Sequence, residues 1–340
     1  MLLTSLCGYV DAQKKYKVGL VFDVGGRGDK SFNDAAYRGL EWASQRLDVE
    51  VSYAEPGPGG ADREILVRRM ASSGKDLVIG VGFLFTQPIV STARAYPNVK
   101  FACVDMDVGS AGQLPSNVVA LTFREQEGSF VVGAIAGMKT RSNSVGFVGG
   151  MVGPLIDRFE AGYTAGVKYA NPKCRVMSVY AGDSPMAFQD PARGYELAVQ
   201  LNSQGCDVIY HASGNTGNGV FKAAKERSFY AIGVDSNQNY LGYDESSGRN
   251  WALTSMVKRV DVAVYLVIED LVNGRFTGGV REYGLKDFVK MGNETYRALD
   301  FAVDDYNKSN LDAETIKKAN GIIEKIVGGE IRVPRSTKDL

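Results

Sequence analysis

Histidine is almost missing from this sequence: His211 stands alone among 340 residues. That scarcity weighs against chemistry built on imidazole, whether a Ser-His-Asp triad or an H-E-x-x-H zinc site, and no G-x-S-x-G elbow compensates for it. Inside the apolar run DVIYHAS, at 207–213, such a histidine is expected to be a satisfied core or strand-end group. Excess charge of either sign is also missing. Lysine plus arginine number 39, and aspartate plus glutamate number 39. The chain therefore lacks the electrostatic footprint of a nucleic-acid or anionic-membrane partner, and a small neutral partner fits better. No stretch approaches the roughly 20 apolar residues that a membrane-spanning helix needs. Low-complexity tracts and short-period repeats are absent as well. The four cysteines, Cys7, Cys103, Cys174 and Cys206, have no metal-ligand spacing. Cys103 reads as a small buried hydrophobe, and a Cys174–Cys206 disulfide is open to an exported chain. Neither a metal nor a cofactor is implied.

What is present is a cadence. Apolar, β-branched runs lie at 16–22 (YKVGLVF), 49–54 (VEVSYA), 76–82 (DLVIGVG) and 100–105 (KFACVD), separated by helix-like stretches such as NDAAYRGLEWASQRL, with Asn33 or Asp34 as its cap. Runs apolar on both faces that alternate with helices predict a parallel sheet covered on both sides. The pattern repeats at 144–150, 174–181, 207–213 and 229–235, so two doubly wound α/β lobes are expected, as the length also suggests. The segments 117–123 (NVVALTF) and 251–258 (WALTSMVK) sit where the chain crosses between lobes. The helix-like VDVAVYLVIEDLVNG is placed to return to the first lobe. The first residues, MLLTSLCGYVDAQKK, are short, apolar and followed by lysines, as at the end of a secretory signal. Cys7 as a lipidated cysteine and cleavage after Ala12 are the two processing readings.

Ligands of open α/β sheets bind at the carboxyl ends of the strands, and small-molecule sites favour domain interfaces. Those ends carry Asp23, Phe83, Asp105, GDSPMAFQD, SGNTGNG and GVDSNQ. Phe32 and Phe188, each in a polar neighbourhood on a different lobe, are either core plugs or flat surfaces for a flat ligand. Asp105, ending FACVD, and Asp235, ending AIGVD, are carboxylates at the mouths of apolar strands, where they must find donors. Helix caps or salt bridges are the alternative. Lys258, at the end of a crossing strand, is placed to pair with Asp235 or donate to a hydroxyl. The glycine-rich turn ASGNTGNG opens a helix with exposed amides but lacks the lysine and hydroxyl of a phosphate loop, which favours a neutral hydroxylated ligand.

The ordered motifs GDKSFND, FREQEGSFVVGAIAG, VGFVGGM, FEAGYTAGVKYA, FQDPARGYELA, SGNTGNGVFKAAKE, AIGVDSNQ and LTSMVKRVD closely resemble the basic membrane protein family of substrate-binding lipoproteins, from about Tyr16 to Pro334. The resemblance implies a type I periplasmic-binding-protein fold with three interlobe crossovers, serving an ABC importer as a monomer, exported and either periplasmic or lipid-anchored. The expected boundaries are a leader at 1–15, a first lobe at 16–121 plus 254–284, and a second at 122–253 plus 285–334. The ligand implied is a purine nucleoside, or riboflavin as in some relatives. Phe32 and Phe188 correspond to the stacking pair, Asn33 lies beside the base, and Asp105 recognises it. Gly214, Asp235 and Lys258 correspond to the ribose-binding groups, and Asp23 contributes at the rim. Three departures stand out: an imperfect lipobox around Cys7, glycines and an arginine in FDVGGRGDKSFN where relatives often have a more acidic loop, and a second aspartate, Asp107, near Asp105. The rival from another class is a nucleoside hydrolase or phosphorylase using Asp105 or Asp235, with a sugar-responsive repressor as a third reading.

Overall fold

The computed structural model describes residues 15–340. The processing readings at Cys7 and Ala12 lie outside the described residues. The chain opens with β1 (Tyr16–Val21), α1 (Phe32–Arg46), β2 (Val49–Ala54), α2 (Arg63–Ser72), β3 (Leu77–Val81), α3 (Thr86–Ala95), β4 (Lys100–Val104), the one-turn α4 (Val108–Ala111) and β5 (Val118–Phe123). It continues with α5 (Glu125–Lys139), β6 (Ser144–Met151), α6 (Pro154–Ala170), β7 (Arg175–Gly182), α7 (Pro191–Ser203), β8 (Val208–Ala212), α8 (Gly217–Arg227) and β9 (Tyr230–Asp235). A small hairpin, β10 (Tyr243–Asp244) and β11 (Arg249–Asn250), precedes β12 (Ala252–Lys258) and α9 (Val260–Val272). The chain ends with β13 (Gly279–Tyr283), β14 (Phe288–Met291), β15 (Glu294–Arg297), β16 (Leu299–Phe301) and α10 (Ala313–Val327).

The strands form because their residues are apolar on both faces: every position of β3, β5 and β8 is buried, as helices on both sides of a parallel sheet require. The first sheet runs β13-β5-β4-β3-β1-β2 with parallel pairing. The second runs β16-β12-β9-β8-β6-β7, parallel except for β16, which is antiparallel to β12. In each lobe the second strand sits outside the first, and the order reverses between the first and third, which is the switch point where such sheets bind ligands.

Three crossings join the lobes. The chain leaves the first sheet after Phe123, leaves the second after Lys258, and leaves the first again after Tyr283. Two expected boundaries shift accordingly. Residues 122–123 stay in the first sheet, and 254–258 stay in the second, because β12 pairs with β9 and β16 along its length. The hairpin β14–β15, expected in the second lobe, leans on the first: Val289 and Ala298 pack with Val262 of α9 and Trp42 of α1, and Arg46 pairs with Glu294 at 3.6 Å. Among the described residues Cys103, Cys174 and Cys206 are buried free thiols, so the disulfide admitted for Cys174 and Cys206 is not formed.

Candidate functional site

The carboxyl ends of both sheets face one another across a cavity of about 560 Å³, its mouth included. All eight residues singled out from the sequence line it: Asp23, Phe32, Asn33, Asp105, Phe188, Gly214, Asp235 and Lys258. Phe83, expected among the strand ends but given no role there, lines it too, and so do Phe159 and Asp29, which were not assigned to the site. Asp107 lines the neighbouring groove instead and caps α4, accepting from Ser110 N at 3.4 Å.

On the first lobe, the loop after β1 turns into α1. Asp29 governs the turn: its carboxylate accepts from the backbone amides of Ser31 (2.9 Å), Asn33 (2.8 Å) and Asp34 (3.1 Å). Asp29 thus does the capping that the sequence suggested for Asn33 or Asp34, both of which lie inside the first turn. Burial raises the Asp29 carboxyl to about 6 against those three donors. The Asn33 side chain is spent on the scaffold, its Oδ1 accepting from Asp23 N (3.0 Å) and its Nδ2 donating to Asp29 (3.2 Å). Asp23 is paired with Arg63 Nη2 at 2.9 Å. Phe32, at the first position of α1, presents a half-buried ring to the cavity.

On the second lobe, the segment after β7 brings Phe188 over the end of β6. A Cβ on Gly150 would collide with the Phe188 ring, so the ring lies directly against bare backbone. Across the cleft Phe83 meets Phe188 edge-on, with centroids 6.4 Å apart and planes at 73°. Gly214, at φ 55°, lets the chain turn beneath Phe188.

Asp105 and Asp235 hold equivalent places: each ends the fourth strand of its own lobe and adopts positive φ, 55° and 64°. That conformation is strained for a non-glycine residue and aims the side chain away from the strand it ends. Lys258, 2% exposed, lies between them. Its Nζ is 2.6 Å from Asp105 Oδ2 and 3.3 Å from Asp235 Oδ1, and 4.9 Å from the Phe32 ring centroid. Burial works against its charge, but the surrounding carboxylates outweigh it and hold the ammonium above its usual pKa. Both Asp105 Oδ1 and Asp235 Oδ1 lack a hydrogen-bond partner although they are buried. Carboxylate oxygens so placed are acceptors for donors that a ligand brings.

His211 is core. It is fully buried, 3.0 Å from Gln238 Oε1, and burial lowers its pKa to about 4.

The lobes are closed on each other. Ser31 Oγ donates to the Val234 carbonyl at 2.9 Å, Ser236 Oγ to the Ser31 carbonyl at 2.9 Å, and Gln238 Nε2 to the Lys30 carbonyl at 3.1 Å. Asn218 Nδ2 reaches the Asp29 carbonyl at 3.3 Å. Two parallel-sheet lobes of one strand order, joined by three crossings and shut over a cavity at their strand ends, define a type I periplasmic-binding-protein fold of the solute-binding class.

The chain belongs to the family described as ABC transporter substrate-binding protein PnrA-like, which matches residues 16–337. An uncharacterized lipoprotein of Pyrococcus abyssi is 39% identical over 290 residues, 81% of this chain and 68% of that one. Basic membrane protein A of Borreliella afzelii is 32% identical over 322 residues, 94% of this chain and 91% of its own. A solved ABC transporter solute-binding protein from Aeropyrum pernix superposes with a TM-score of 0.80 at 31% identity, covering 95% of each chain. The protein is therefore an exported ABC-type solute-binding protein, with a small-molecule ligand and a permease as its partners. The family and the Aeropyrum pernix protein are substrate-binding proteins and not enzymes, so the hydrolase or phosphorylase reading falls away. Among the described residues no helix is long and apolar enough to cross a membrane.

Proposed function

We propose that the cleft binds a purine nucleoside, with the base between Phe32 and Phe188 and the ribose held by Asp235, Lys258 and the Gly214 turn. Asp105 recognises the base, while Asp23 and Asn33 fix the rim. One observation carries the reading: a single cavity joins aromatic faces from both lobes to two buried carboxylate oxygens without a well-formed hydrogen bond, Asp105 Oδ1 and Asp235 Oδ1, the latter with the Lys258 ammonium 3.3 Å away. A planar, apolar-faced ligand with N–H and O–H groups matches both halves. A sugar alone would leave the rings unused, and a bare aromatic would leave Asp105 Oδ1 unpaired, at about 1–3 kcal/mol for such a buried group.

Calorimetry with inosine, guanosine, adenosine, ribose and riboflavin tests this, with chromatography of the same mixtures for released base. One-to-one binding of a purine nucleoside, at least tenfold tighter than ribose and riboflavin and without free base, is expected. Preference for riboflavin, or binding of none of the purine nucleosides, would overturn the assignment.

A further inference from the structure

The charges around Lys258 do not balance once the lobes close. Glu125, at the first position of α5, has no exposed surface. Its Oε2 is 3.4 Å from Arg158 Nε of α6, and its Oε1 is 3.9 Å from Lys258 Nζ at the end of β12. Neither Glu125 oxygen, nor Arg158 Nε, has a hydrogen-bond partner of acceptable geometry. Asp235 of β9 completes the second lobe's share, and the Tyr210 phenol of β8 lies close enough to feel both carboxylates. Within that lobe, two cations, Lys258 and Arg158, face two carboxylates, Asp235 and Glu125. Asp105, at the end of β4, is the carboxylate that the first lobe adds, 2.6 Å from Lys258 Nζ. A neutral cluster thus becomes one carboxylate over on closure, with Lys258 and the three carboxylates buried and Arg158 alone of the five reaching the surface.

We infer that Glu125 takes up a proton as the lobes close on ligand, making it a positioning residue that leaves Lys258 free to serve Asp105 and Asp235. Of the three carboxylates it is the one with the weakest cation contacts and no wall on the cavity. Burial pushes its carboxyl up to about 7 in the closed protein, and the charge of Asp105 pushes the same way. Opening removes Asp105 and admits water, which returns Glu125 towards the ordinary carboxylate range. The sign follows from linkage: the closed form binds the extra proton, so ligand affinity is greatest in acid and falls as pH rises through about 7.

The inference rests on the nucleoside reading only for its probe. Calorimetry of the whole protein with inosine, in phosphate and in Tris at pH 6, 7 and 8, is expected to show proton uptake near one at pH 6 that dwindles by pH 8. Over that range the affinity should fall about tenfold. Glu125→Gln should bind with neither proton uptake nor that pH dependence, a pair of readouts that a purely structural role would not move. No proton exchange in the wild type, or undiminished exchange in Glu125→Gln, would overturn the inference. Small-angle scattering of the ligand-free protein separates a failed probe from a failed inference. The wild type should be more compact at pH 6 than at pH 8 and Glu125→Gln indifferent; an indifferent wild type would count against the proton site whatever the nucleosides do.

Discussion

Phe32 and Gly150 test the stacking geometry from opposite sides. Replacing Phe32 by alanine removes the ring while leaving Asp29 to hold the α1 turn, since none of that carboxylate's donors belongs to the Phe32 side chain. Lost burial and stacking together predict about 2 kcal/mol, or a Kd about thirtyfold higher. Gly150→Ala removes nothing but pushes the Phe188 ring off its bed. A similar loss of affinity is expected, with the melting temperature little changed because Phe188 is only half-buried. Calorimetry and thermal denaturation on the two variants check both statements, and unchanged nucleoside affinity in either would detach its ring from the site. The buried cluster behaves differently. Lys258 cannot be removed without leaving Asp105 and Asp235 unpaired, so its loss mixes folding with binding.

Among the elements, α5 and α6 form the tightest helix pair, and glycines are the reason. A Cβ on Gly133 would strike the Tyr163 carbonyl, one on Gly162 the Gln126 carbonyl, and one on Gly166 the Phe130 carbonyl. Bare backbone lets the two helices touch, and that contact fixes Glu125 and Arg158 at the same level. Gly166→Ala should cost about 1–3 kcal/mol through forced separation, measured by chemical denaturation; full stability would show that the contact yields freely. The strands were legible because runs such as LVIGV and VVALTF are apolar throughout, which only a sheet covered on both faces accommodates. The motif glycines were legible only as composition, since nothing in FEAGYTAGVKYA says which helix will lie across it. Asp29 escaped notice as a cap because it sits three residues before the helix, reaching it through a loop bent at Lys30, φ 57°. Glu125 escaped for another reason. In FREQEG three charged residues crowd together, and only the fold turns Arg124 and Glu127 towards Glu282 and Leu285 N while turning Glu125 inward.

At the scale of the molecule, the crossings are stitched to one another: Arg124 of the first binds Glu282 beside the third at 2.8 Å. Such a hinge keeps the lobes in register while they open, so the ligand shifts a balance between two arrangements by the affinity it has for the closed one. The site residues come from both lobes, and this explains why their types were readable in the sequence while their partnerships were not. Phe83 meets Phe188 only through closure, and Asp105 reaches Lys258 only across the cleft. A crystal structure of the protein grown with a purine nucleoside tests the central claim most directly. The base should lie between Phe32 and Phe188, with ligand donors within hydrogen-bond distance of Asp105 Oδ1 and Asp235 Oδ1. A ligand bound outside this cavity, or one that brings a donor to neither oxygen, would contradict the account.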